Sequence, residues 1–132
     1  MVIVDANVLL DLLTNDPTWF DWSAARVKQA RTSGLLVINP IIYAEISNAF
    51  KTEAELARYV SPTDFLRMPL PFEAAFRAGR AFRSYRSRGG NKSAPLPDFY
   101  IVAHAEVEGL VLLTRDAARY TTYFPKVKLI SP

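Results

Sequence analysis

Short apolar runs that stop abruptly at a polar residue and then give way to helix-period segments constrain this chain more than any other feature. Val2-Ile3-Val4 is the first. It has none of the alternation of a half-exposed strand, so it reads as a strand buried on both faces. Asp5 follows at once, and Val8, Leu9, Leu10, Leu12 and Leu13 recur at helical spacing. The pattern returns at Leu35–Ile38 and at Val111–Leu113, with Val127–Ile130 as a last strand and Phe65–Leu70 ambiguous but able to hold a short one. Helices are expected from about Trp19 to Arg31, from Asn39-Pro40 to Phe50, from Glu53 to Tyr59, from Pro71 to Arg86, from Pro97 to Glu108, and for about two turns after Asp116. Pro40 and Pro97 suit the first helical position, and Gly109 a helix end. Gly89, Gly90 and two prolines make Ser87–Pro97 a loop, expected to be the mobile one. Strands that alternate with helices pair in parallel through crossovers. The expected fold class is therefore α/β: a single domain, residues 1–132, with a parallel four- or five-stranded sheet flanked by helices on both faces.

Such a chain, at 132 residues, has room for one proper core. It has no cysteine, which excludes disulfides and thiolate metal sites. No apolar run approaches the roughly 20 residues that span a bilayer, so no membrane partner is expected. The apolar start lacks a basic segment and is interrupted by Asp5 and Asp11, so no signal peptide is read and a cytoplasmic location is expected. A net charge of +3 tilts weakly toward an acidic partner such as nucleic acid.

In a parallel sheet every strand tip that precedes a helix faces one edge, where ligands of open α/β sheets bind. Asp5 sits at the first tip and Asp116 just past the third. Asp98 lies in the first turn of the helix opened by Pro97, and Glu45 about one and a half turns into the helix after the second strand. Four carboxylates from four segments can thus meet in one pocket. Two like charges about 4 Å apart repel by roughly 4 kcal/mol at an effective dielectric near 20. Protons or a cation must relieve that, and oxygen-only donors select hard cations, Mg²⁺ or Mn²⁺. Such a centre suits attack of an activated water on a phosphodiester. Asn7 and Thr114 are placed to orient the carboxylates or a water. Taken singly, the same acids also fit plainer roles: Asp5, Asp98 and Asp116 as helix caps, Glu45 as a solvated helix residue.

Val-Asp-Ala-Asn at 4–7, Glu45 after Asn39-Pro40, Leu-Pro-Asp at 96–98 opening a helix, and Leu-Thr-Arg-Asp at 113–116 resemble the PIN-domain ribonucleases. The likeness is strongest to the VapC toxins of type II toxin–antitoxin pairs and runs through the closing Tyr-Phe-Pro-Lys-Val-Lys-Leu-Ile-Ser-Pro at 123–132. The family's acidic quartet maps onto Asp5, Glu45, Asp98 and Asp116, and its polar partners onto Asn7 and, less securely, Thr114. The resemblance implies Mg²⁺- or Mn²⁺-dependent endoribonuclease activity with RNA as substrate, a homodimer, and a cognate antitoxin protein as inhibitor. Alternatives are a housekeeping PIN nuclease without an antitoxin, and a non-enzymatic phosphoacceptor signalling domain. A phosphatase with a nucleophilic Asp would want a second Asp where Asn7 stands. The phosphoacceptor domain would want an acidic pair after the first strand, where Asp5 stands alone.

Arg77, Arg80, Arg83, Arg86 and Arg88 follow one another on or just past one helix, with Lys92 beyond. Steps of three residues drift around a helix of about 3.6 residues per turn, so they cannot form one flat stripe. Arg86, Arg88 and Lys92, which flank the loop before Asp98, are the better candidates for RNA contact, with Arg115 beside Asp116. Arg115 and Arg119 fit an ion pair equally well. Trp19, Phe20 and Trp22 cannot all face a core, which suggests a partner surface or plain packing. His104, the only histidine, lies beyond the acidic end of its helix and reads as an ordinary packed or surface residue.

Overall fold

The computed structural model describes residues 1–91 and 96–132. Five strands, β1 (Val2–Val4), β2 (Leu36–Ile38), β3 (Phe65–Arg67), β4 (Val111–Leu113) and β5 (Leu129–Ile130), form one sheet in the order β3-β2-β1-β4-β5. All pairings are parallel; Ile3 aligns with Val37 on one side and with Leu112 on the other. Seven helices intervene: α1 (Ala6–Leu13), α2 (Phe20–Ser33), α3 (Pro40–Ser47), α4 (Glu53–Tyr59), α5 (Phe72–Ser87), α6 (Pro97–Glu108) and α7 (Ala118–Tyr123).

Successive strand residues point to opposite faces. Every residue of β1 and β2 is nevertheless buried, so both faces of the sheet are covered. On the helices α1 packs on α2 and α3, and α5 on α6 and α7. The chain winds outward from β1 to β3, returns to the other side of β1, and continues to β5. The winding direction therefore reverses between β1 and β4. At such a switch point the loops at the carboxyl ends diverge and leave a crevice. Asp5 leaves β1 there, and Thr114 leaves β4.

Local chemistry sets the ends of the elements. Pro40 and Pro97 start α3 and α6, and the Asn39 side chain accepts the Ile42 amide at 2.9 Å. Gly109 closes α6 at φ 66°, a left-handed conformation that penalises a Cβ. Several expected ends move. α1 begins at Ala6, directly on Asp5. Asp16 Oδ1 accepts the amides of Thr18 and Trp19 at 2.9 and 2.8 Å, and this turn delays α2 to Phe20. α3 stops at Ser47: Ala49 and Phe50 bond three residues back, a tightening that ends the helix and sends Phe50 onto Tyr59. The last strand loses Val127 and Lys128, the Val127 amide closing a turn on the Phe124 carbonyl. Of the loop expected at 87–97, Ser87 belongs to α5, Pro97 belongs to α6, and 92–95 lie outside the described residues.

Candidate active site

Asp5 has both roles read from its position. It caps α1, its Oδ1 accepting the Ala6 amide at 2.7 Å. It is also 2 % exposed, and its Oδ2 collects three side-chain donors: the Thr114 hydroxyl at 2.8 Å, the Tyr120 phenol at 3.0 Å and the Asn7 amide at 3.4 Å. Thr114 is in turn fixed, because its oxygen accepts the Asn7 amide at 3.3 Å and the Asp116 backbone N–H at 3.1 Å. Asn7 and Thr114 thus stand where orienting residues were expected, one on α1 and one at the tip of β4.

Among the described residues, Asp5, Glu45 and Asp98 each offer a carboxylate oxygen within 4.8 Å of the others. They come from the tip of β1, the middle of α3 and the first turn of α6. Glu45 Oε1 is buried with no hydrogen-bond partner. Burial, reinforced by Asp5 and Asp98, pushes the Glu45 carboxyl up to about 7. The Asp5 carboxyl is also pushed up, first by burial and then by Asp98, against the lowering effect of its hydrogen bonds. These three acids are held together against their own charge. Protons or a cation would relieve that strain, and a hard divalent ion is the cation an all-oxygen set prefers. A buried, unpartnered oxygen on one of three gathered carboxylates fits such an ion.

Asp116 stands apart from this trio. It is exposed, its backbone N–H donates to Thr114, and it is not in the group of carboxylates that gathers within 4.8 Å among the described residues. It remains near enough to help raise the Tyr120 phenol pKa, behind burial and the nearer acids Asp5 and Asp98. Sequence reasoning missed Tyr120. It is 1 % exposed, and in a six-residue helix an aromatic carries no periodic mark of a polar role.

The basic candidates separate. Arg115 makes an ion pair: its Nε donates to buried Asp11 at 2.7 Å, and its guanidinium lies over the Trp19 ring at 5.4 Å from the centroid. Arg86 and Arg88 are exposed at the end of α5, Arg88 over the Tyr123 ring. Arg77 is engaged by Glu73 and Glu106, and Arg80 lies over Phe76. Lys92 and the Arg119 side chain lie outside the described residues. His104 is buried, its Nδ1 3.0 Å from Asn39 Nδ2, and burial lowers its pKa; it is a packed histidine. Trp19 and Trp22 make an edge contact 6.0 Å apart and are, like Phe20, half-buried.

The fold is shared with solved toxin–antitoxin complexes. A chain of the VapBC2 complex from Rickettsia felis bound to a promoter DNA fragment superposes with a TM-score of 0.72 at 15 % identity, covering 99 % of this chain and 98 % of that one. A chain of VapBC-1 from nontypeable Haemophilus influenzae also gives 0.72, at 19 % identity and 99 % and 98 % coverage. One from a Klebsiella pneumoniae toxin–antitoxin complex gives 0.65 at 23 % identity, covering 96 % and 95 %. No curated protein matches by sequence. Residues 2–124, from β1 through α7, match the PIN domain, and the chain belongs to that family.

Proposed function

We propose that the chain is a single nuclease domain that cleaves RNA with the help of Mg²⁺ or Mn²⁺ and acts as the toxin of a toxin–antitoxin pair. The observation that carries this is the meeting of Asp5, Glu45 and Asp98 oxygens within 4.8 Å at the switch point of the sheet. Those three residues would hold the ion, with exposed Asp116 at the mouth. When bound, the ion would supply a more acidic water and neutralise charge on the phosphodiester.

The chain's own residues do the remaining work. Thr114, Asn7 and Tyr120 hold Asp5 in one orientation. Glu45, whose carboxyl titrates near neutrality before an ion enters, becomes fully ionised as a ligand. Arg86 and Arg88, exposed at the end of the helix preceding the Asp98 segment, meet backbone phosphates.

Membership of the PIN family supports the nuclease reading. The full-length likeness to chains of VapBC complexes supports a protein antitoxin as partner. An acidic pocket also suits an inhibitor that inserts an arginine, since a guanidinium can pair with two carboxylate oxygens at once. A homodimer and a cytoplasmic location complete the proposal. No helix among the described residues is long and apolar enough to cross a membrane.

The test is incubation of purified protein with RNA and Mn²⁺, with and without EDTA, beside expression of the chain alone in a bacterium. RNA loss that EDTA prevents, together with growth arrest, is expected. RNA left intact in Mn²⁺ would overturn the nuclease reading. Cleavage without growth arrest would point to the housekeeping nuclease.

A further inference from the structure

We infer that Tyr120 is a positioning residue of the metal centre, its phenol fixing the rotamer of Asp5 so that one carboxylate oxygen is kept for the ion. The inference rests on the metal-site reading above.

The geometry divides the two oxygens of Asp5. Oδ2 accepts from Thr114 at 2.8 Å, Tyr120 at 3.0 Å and Asn7 at 3.4 Å. Among the described residues, Oδ1 accepts the Ala6 amide alone, at 2.7 Å. A carboxylate oxygen has two lone pairs. Oδ2 is saturated by protein donors, and Oδ1 retains a lone pair for a cation. Thr114 stands just past the tip of β4 and Asn7 in the first turn of α1, and they bond each other as well as Asp5. Tyr120 reaches Asp5 from another direction, off α7.

α7 is held firmly enough to serve as an anchor. Tyr123 lies 5.4 Å from Phe99 and Phe124 lies 6.1 Å from it, centroid to centroid, and Tyr85 of α5 packs edge-on to both Phe99 and Tyr123. Phe99 directly follows Asp98. One aromatic cluster therefore sets the position of the helix that carries Asp98 and of the helix whose phenol holds Asp5. A second site residue and the clamp on the first are referenced to the same wall.

Tyr120→Phe keeps the ring in the core and removes only the hydroxyl. Tyr59→Phe is the control, since it deletes another partly buried, hydrogen-bonded phenol, one that donates to the Leu9 carbonyl at 2.7 Å rather than to a carboxylate. Mn²⁺ binding to the wild-type chain and both variants is measured by calorimetry, alongside metal-free Tm and the dependence of RNA cleavage on Mn²⁺. Loss of an outer partner of a metal ligand typically weakens affinity about tenfold or more. The expected result is at least about tenfold weaker Mn²⁺ binding for Tyr120→Phe, with the cleavage rate largely recovered at saturating Mn²⁺ and the control unchanged. Unchanged Mn²⁺ affinity in Tyr120→Phe, with binding by the wild type, overturns this inference alone. A metal-free Tm that falls enough to explain the loss also overturns it, leaving Tyr120 as core packing. A wild-type chain that binds no Mn²⁺ overturns it together with the metal-site reading.

Discussion

Arg115 and Asp11 form a half-buried ion pair that ties the tip of β4 to the end of α1. The Nε–Oδ2 distance is 2.7 Å, and the side chains are 29 % and 2 % exposed. The same Asp11 oxygen accepts the Ser23 hydroxyl at 2.7 Å, which draws α2 into the joint. The Arg115 amide meets Asn7 Oδ1 at 3.3 Å. Arg115→Ala leaves Asp11 buried with one partner fewer. Breaking a buried, hydrogen-bonded pair is destabilising, and partial exposure of the arginine reduces the cost to about 2 kcal/mol. Urea unfolding of the metal-free chain checks the value. A change near zero would return Arg115 to the surface role considered from sequence.

Asp5→Asn removes a charge from the proposed metal site without changing volume. RNA cleavage is expected to fall to background, growth arrest to disappear, and the metal-free Tm to fall modestly, because relief of repulsion from Asp98 is outweighed when an amide nitrogen replaces one of two oxygens that accept from Ala6, Thr114, Tyr120 and Asn7. A gel assay, a growth curve and a melting curve read the three outcomes. Retained cleavage would sink the metal-site model.

Glu45 makes the metal-free protein sensitive to pH in a direction opposite to an ordinary salt-bridged acid. Its carboxyl is raised from 4.5 to about 7 by burial, Asp5 and Asp98. Between those values the folded state holds a proton that the unfolded state has released. Stability therefore falls as pH rises. The contribution is fully present below about 4.5 and is lost as pH passes about 7. Tm of the metal-free chain should decline across this window, the decline should be smaller in Glu45→Gln, and Mn²⁺ should restore Tm above it. A Tm that climbs across the window in step for both proteins would contradict the assignment.

Asp116→Asn should be the mildest of the acid-to-amide changes. The residue is exposed and outside the trio whose oxygens gather within 4.8 Å. A loss of about tenfold, of the size seen for outer partners of a metal site, is expected in cleavage rate. Glu45→Gln and Asp98→Asn should reach background. Equal losses at all four positions would place Asp116 in direct contact with the ion or the reacting phosphate.

Much of this was legible in the chain because burial and strand position are local signals. Val2–Val4 can only be a covered strand, and its end dictates where Asp5 must stand. Glu45 and Asp98 follow from prolines that fix where α3 and α6 begin. What was hidden depends on partners far away in sequence. Arg115 and Asp11 are 104 positions apart, and nothing in either neighbourhood marks them as a pair. Tyr120 and Asp5 are separated by 115. Asp116 follows β4 as expected; that it is exposed and outside the cluster of Asp5, Glu45 and Asp98 is a property of the folded loop rather than of its neighbours in the chain.

The crossing order of the strands also decides when, during synthesis, the Asp5 carboxylate can be fixed in place. Asp5 is made first, yet the hydroxyl that clamps it comes 109 residues later, from a strand that enters the sheet beside β1 only after β2 and β3 have been translated. Asp5 therefore lacks its Thr114 partner until β4 has joined the sheet, and its carboxylate is oriented only after residue 114 has been made.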